Sequence, residues 1–295
     1  MAVGDLVTGD WMLERNGLVI GDGTSYDLRL IKGLTAAPTV RAQDKAFLFR
    51  QGGRAGSDYV GDRSWTLEID VAEATPATMT TLLQALEEAF SPSADEVQTV
   101  FQAPGLAGGV KTYLNARVRK RDIPMDIQYM NGLAEISIQL HSVDGRIRSL
   151  AESTDNVDLT SNAGGMTFDL TFPLTFGAVD TGGQITAVNA GSYPAPVVLR
   201  IDGPCTDPLV ENITTGETIQ LNTTITDGNY IELDTDLRTV TLNGSAASGT
   251  GSSRYFTLDP SSVWFDLAVG SNTLEYRAPT DSGSTLTATW RDVWA

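Results

Sequence analysis

Apolar and polar residues alternate with period two along much of the chain, and one segment breaks to a helical period. Trp65, Leu67, Ile69 and Val71 alternate with Ser64, Thr66, Glu68 and Asp70, the mark of a strand with one buried face. The period then changes. Thr75 can cap a helix with Pro76 in its first position, and Met79, Leu82, Leu83, Leu86 and Phe90 fall on one apolar stripe. Ser91-Pro92 ends it. A strand pair follows, Tyr113–Arg121 and Leu133–His141, with Asn131-Gly132 in the connection. In its second strand Ile136, Ile138 and Leu140 face away from Glu135, Ser137, Gln139 and His141. Tyr26, Leu28 and Leu30 predict an earlier strand, and Gly52, Gly53, Gly56 and Gly61 predict a mobile loop between Gly52 and Asp62.

From Glu152 to Gly165 the chain is polar and carries no stripe, so it reads as a linker. Beyond it short strands and turns follow one another: Met166–Thr175, Gln184–Asn189, Val197–Ile201, Thr218–Leu221, Tyr230–Asp234, Arg238–Leu242, Tyr255–Leu258, Asn272–Tyr276 and Leu286–Trp290. This density of strands predicts a sandwich or barrel. Asp227-Gly228-Asn229 and Asn243-Gly244 are hairpin punctuation, because Asn and Gly tolerate the positive φ of tight turns. The expected division is a domain over 1–152, a linker over 153–165 and a second domain over 166–295.

Charge supports that division. The net charge is −17, with 15 Lys/Arg against 19 Asp/Glu up to Leu150 and 5 against 18 beyond it. An acidic second half repels phosphate backbones and argues against nucleic-acid binding as the main role. No apolar run reaches the ~18 residues of a membrane span. The start, Met1–Asp10, has neither the basic segment nor the apolar run of an export signal, so no membrane anchor is expected. With one cysteine, Cys205, the chain cannot form an internal disulfide.

Catalytic constellations are sparse. The one histidine, His141, lies on the polar face of a strand, and Cys205 sits in a turn-like run without a second thiol. Asp234 and Asp236 share a strand face and are the pair to consider for hydrolysis or calcium, although no EF-hand pattern surrounds them. No phosphate loop or dinucleotide-binding context appears. The expectation is a chain that is not an enzyme, with no catalytic, cofactor or metal site. Three Asn-X-Ser/Thr sequons, at Asn212, Asn222 and Asn243, are read as chance. Arg117, Arg119 and Arg121 alternate. On a continuous strand they would line one face, either as ordinary solvated charge or as a ring interface or lumen where guanidinium forks pair with a neighbour's carboxylates.

The second half carries a family likeness. Its run Asn189-Ala190-Gly191-Ser192-Tyr193-Pro194-Ala195-Pro196, continuing through Val197-Val198-Leu199-Arg200-Ile201-Asp202-Gly203-Pro204, resembles the entry strand of the C-terminal domain of siphophage distal tail proteins. Asn212–Gly216, Asp227–Thr235, Arg238–Gly244, Val269–Tyr276 and Ala288–Trp294 follow in the same order. Trp290 and Trp294 are expected to be buried anchors of the last strand. The first half resembles the family through Leu28–Val40, the glycine-containing loop, the Trp65–Val71 strand and the single helix. Where the family has an aspartate-glycine signature before the loop, this chain has Arg50-Gln51-Gly52-Gly53.

The resemblance implies a mainly β chain: an N-terminal tail-tube-like β-sandwich or split barrel with one helix, and a C-terminal galectin-like antiparallel β-sandwich. It further implies a distal tail hub in the virion, a homo-oligomeric, hexameric ring joining the tail tube protein to the adsorption apparatus. A hub or tail-associated protein, a tape measure protein or a receptor-binding protein would be its neighbours, and DNA would pass through the lumen without specific binding. A different reading is a carbohydrate-binding module, since such sandwiches hold sugars against an aromatic. Trp264 and Tyr276 are its candidates, and core packing is the ordinary fate of both.

Overall fold

The computed structural model describes residues 2–72, 75–159, 183–278, 280–281 and 283–295. The strand expected at 166–175 and residues 160–165 of the expected linker lie outside the described residues. The chain forms two compact units, residues 1–151 with 293–295, and residues 152–292.

In the first unit the sheet order is Leu18–Gly21, Met12–Arg15, Val97–Gln102, Thr112–Asp122, Leu133–Ser142, Arg63–Ala72 and Asp27–Lys32. Thr112–Ala116 pairs antiparallel with Val97–Gln102, whereas Arg117–Asp122 pairs antiparallel with Leu133–Ser142. One strand thus joins two layers, whose inward residues include Leu13, Trp65, Leu67, Ile69, Phe101, Leu114, Ile136 and Leu140.

The helix Pro76–Ala89 lies on this core as its stripe predicts, with Met79, Leu83, Leu86 and Phe90 buried and Leu82 half-buried at the stripe's edge. Thr75 Oγ1 accepts from the Thr78 amide at 3.4 Å and opens the helix. Its last turn meets Arg15, whose side chain is fully buried. That guanidinium donates to Ala89 O (3.3 Å), Val97 O (3.1 Å), Thr99 Oγ1 (2.7 Å) and Ala116 O (3.1 Å) and lies 5.6 Å from the Phe90 ring centroid. Burial pulls its pKa down to about 10.

The glycine-containing stretch is an ordered arm rather than the loop expected from sequence. Val40–Arg41 pairs with Tyr59–Val60, and further out Lys45–Ala46 pairs with Gly53–Arg54. The glycines are what let the two sides approach: a Cβ on Gly56 would collide with the Gln43 carbonyl, and one on Gly61 with the Thr39 hydroxyl.

The second unit holds a six-stranded sheet, ordered Ser153–Asp158, Thr285–Trp290, Val197–Asp202, Tyr230–Asp234, Thr239–Leu242 and Ser252–Ser253. A four-stranded sheet is ordered Gln184–Asn189, Gly270–Arg277, Leu209–Asn212 and Glu217–Gln220. Each buries one face, as in a β-sandwich. The Trp290 indole is buried in one sheet and donates to Val188 O in the other at 2.9 Å.

Three expectations are corrected here. Ser153–Asp158, read as linker, is an edge strand pairing with Thr285–Trp290 along its whole length. Its side chains are almost all exposed, so no apolar alternation marked it. Tyr255–Leu258 is not a strand: Tyr255–Thr257 is a 3₁₀ turn, closed by the Thr257 amide and hydroxyl, both donating to Arg254 O at 2.8 Å. Finally, Val293–Trp294, expected in the second domain, pairs with Ile147–Arg148 of the first unit, where Trp294 packs on the core.

Truncating Leu86→Ala should lower unfolding free energy by ~2–5 kcal/mol in urea titrations. Leu48→Ala, at an arm position 90% exposed, should change it by less than ~0.5 kcal/mol. A second prediction concerns the turn after Leu258. There the Asp259 carboxylate accepts from the Ser261 hydroxyl (2.6 Å), from Asn222 Nδ2 (2.8 Å) and from the Ser261 amide (2.8 Å), and is held down to about 2. Its stabilising contribution is therefore complete above the ordinary carboxylate value of 3.8 and is lost as pH falls through about 2. An NMR titration of this carboxyl should show a midpoint near 2, and one at the ordinary value would sink the assignment.

Candidate functional site

The alternating arginines do not form one row. The pairing of Thr112–Asp122 with Leu133–Ser142 shifts register between Val118 and Lys120, a bulge at Arg119 that turns the following side chains over. Arg117 stands opposite His141 on the outer face, and Arg119 is exposed. Arg121 stands opposite Ile138, whose side chain is in the core, and turns to the end of the helix. There it donates to Glu87 O (2.9 Å) and Phe90 O (3.3 Å) and pairs with the Glu87 carboxylate at 3.3 Å. Cationic donors belong at helix C-termini, where carbonyls carry partial negative charge, so Arg121 is a cap.

The other candidates are likewise drawn into local structure. Tyr276, a proposed sugar contact, is 1% exposed with its hydroxyl 2.9 Å from Ser284 Oγ; no ligand reaches its ring there. Trp264 is half-buried. Asp234 is buried, and its Oδ1 accepts from the Asp236 and Leu237 amides at 2.9 and 3.0 Å, an Asx turn leading out of the strand. His141 Nδ1 lies 3.0 Å from Ser64 Oγ and 3.7 Å from Asp62 Oδ2. A hydrolytic triad needs serine and carboxylate on opposite ring nitrogens, whereas here both face one nitrogen. Cys205 is buried. Among the described residues no group of three His, Cys, Asp or Glu side chains gathers as a metal site would require, and no helix is long and apolar enough to cross a membrane.

What sequence reading missed is the arm tip. Between the paired Lys45 and Arg54 the chain runs Ala46-Phe47-Leu48-Phe49-Arg50-Gln51-Gly52-Gly53, with the Phe47 amide donating to Gly52 O at 3.2 Å. Leu48 is 90% exposed and Phe49 100%. The Arg50 guanidinium lies 3.7 Å from the Phe47 ring centroid. The available signal was an apolar triplet flanked by basic residues inside a turn-rich stretch. On the outer sheet face, Arg29 is surrounded by Glu68 (3.0 Å), Asp70 (3.6 Å) and Glu135 (3.4 Å). The Asp70 carboxyl is pushed up, first by burial and then, against the pull of Arg29, by Glu135, Asp27 and Glu68.

In the second unit, buried asparagines account for several sequence motifs. Asn189 Oδ1 accepts from the Gly191 amide (3.0 Å) while its Nδ2 donates to Tyr193 O (2.8 Å). Asn212 Oδ1 accepts from the Thr214 amide (3.1 Å), and Asn272 pins Ala268 through both its amide atoms at 2.9 and 2.8 Å. Each is fully buried, so each turn is fixed from the core side.

If Arg121 is a cap, Arg121→Ala should lower stability by about 1–2 kcal/mol, whereas Arg119→Ala should stay within ~0.5 kcal/mol. Denaturant unfolding of the two variants separates them, and equal effects would contradict the assignment.

A family model described as the C-terminal domain of the siphovirus-type tail component matches residues 190–294, the span of the motifs read from sequence. No curated protein matches the chain. Among solved structures, the crystal structure of SPP1 Dit (gp 19.1) protein, a paradigm of hub adsorption apparatus in Gram-positive infecting phages, aligns at 11% identity with a TM-score of 0.64, over 96% of this chain and 99% of that one. The phage P2 baseplate in its activated conformation with Ca aligns at 11% identity and TM-score 0.42, over 94% of this chain and 97% of that one. Its counterpart with Sr aligns at 12% and 0.41, over 94% and 96%. Residues 190–294 thus match the siphovirus-type tail component C-terminal domain, and the chain as a whole shares its fold with SPP1 Dit.

Proposed function

We propose that this chain is a distal tail hub: copies close into a ring at the tail tip that joins the tail tube to the adsorption apparatus. The observation that carries the reading is the coincidence of two likenesses, a family match over the second unit and a common fold over nearly the whole chain. Its mechanism is geometric. One surface of each copy meets a different surface of the next, and the rotation between them closes the ring. Hexameric closure and a galectin-like second unit belong to this proposal.

The net charge of −17 supports a lumen through which DNA passes without adhering. The role is non-catalytic, in keeping with an Asp234 carboxylate held by the amides of its own turn. The carbohydrate-binding alternative loses support with the burial of Tyr276.

Electron microscopy of the purified chain should show rings, and native mass spectrometry should give a mass near six copies. A monomer that binds on a glycan array would overturn the hub reading. Clearing of host cell walls in a zymogram, abolished by Asp234→Asn or Asp236→Asn, would overturn its non-catalytic part.

A further inference from the structure

The arm presents an apolar, basic tip to solvent, and the same unit holds an acidic aromatic cleft that none of the described residues fills. We propose that the arm tip of one copy docks in the Trp11 cleft of the next copy. The inference rests on the ring reading and names the contact that closes the ring.

Phe49 is 100% exposed and Leu48 90%, so neither packs on its own chain. The paired strands at Lys45–Ala46 and Gly53–Arg54 hold these side chains at the end of a stiffened hairpin rather than on a free loop. From Lys45 to Arg54 the tip carries three basic residues and no acid, within a chain whose net charge is −17. Most of the remaining surface is therefore electrostatically attractive to it, and a second copy of the chain supplies such a surface.

The cleft is the specific complement. It measures about 580 Å³ and is lined by Asp10, Trp11, Met12, Asp22, Asp27 and Leu28 among others, a size typical of ligand pockets, which run about 300–1,000 Å³. Three carboxylates line it and no basic side chain does. Asp10 accepts from Gln102 Nε2 at 3.3 Å, and none of the three acids forms an ion pair among the described residues. Trp11 is the unusual element: a bulky residue with φ of 58°, in the left-handed region, with 49% of its surface exposed. Backbone strain of this kind persists where the surroundings impose it and collects at binding surfaces. Here it leaves an indole at the cleft, a face suited to a phenyl ring or a guanidinium. The tip offers both, Phe49 beside Arg50, and Lys45, Arg50 and Arg54 are equal in number and opposite in sign to Asp10, Asp22 and Asp27.

The test uses the full chain, with assembly followed by sedimentation velocity and circular dichroism as the fold control. Arg50→Glu and Asp22→Arg, both on exposed residues, should each weaken assembly at least tenfold, and the double charge swap should restore it. Phe49→Cys combined with Asp22→Cys should give a disulfide-linked ladder on a non-reducing gel, with little background because Cys205 is buried. If wild type forms rings while both single variants assemble like it and the cysteines stay unlinked, the docking is wrong and the ring stands. Loss of assembly in the single variants with neither rescue nor cross-link also overturns the docking. A wild type that remains monomeric overturns docking and ring together.

Discussion

The fold of the first unit turns on one buried cation. Leaving a guanidinium unpaired inside a protein is prohibitive, and Arg15 faces no carboxylate among its described partners. It is held instead by carbonyls and a hydroxyl from the helix end, from Val97–Gln102 and from Thr112–Asp122, segments 74 to 101 residues away in sequence. Those oxygens can converge only when the helix lies across the sheet in one position. The charge therefore acts less as a source of stability than as a condition on geometry. Arg121 takes further carbonyls of the same helix end from the other layer, so the terminus is gripped from two sides and needs no glycine to stop it.

Elements with a buried face were legible in the sequence, because burial writes its period directly into residue type. The strand Arg63–Ala72, the helix from Pro76 and the strand Tyr230–Asp234 all belong to this class. Elements whose side chains stay in solvent carry no such record. Ser153–Asp158 is held by backbone pairing along one edge, and the outer arm strands are two residues each. The bulge at Arg119 was hidden for another reason. An inserted residue changes facing without changing composition, so a run that alternates arginine reads the same whether or not the ladder slips.

The site was less legible than the fold because its residues are few and ordinary in type. Tyr276 and Asp234 drew notice as an aromatic and an acid with chemical potential, yet both serve the interior: one closes a hydrogen bond to Ser284 and the other a turn. The buried asparagines explain why the family likeness was nonetheless readable. A side-chain amide that must satisfy its turn from inside the core admits few substitutes, and Asn189, Asn212 and Asn272, each within one of those motifs, hold their turns in this way.

The return of Val293–Trp294 to the first unit makes the second unit an insertion between two adjacent strands of its host. Closing a floppy loop of about 140 residues would carry an entropic penalty that grows with the logarithm of its length. The inserted unit removes most of it, since Ser153 pairs with Trp290 and so its entry and exit strands leave side by side. Seen as polymer physics, the host closes a loop only a few residues long, whatever the size of the insert. Any folded module whose first and last strands are neighbours could occupy that place at similar cost, and this gives a modular route by which a constant host unit can carry changing inserted domains.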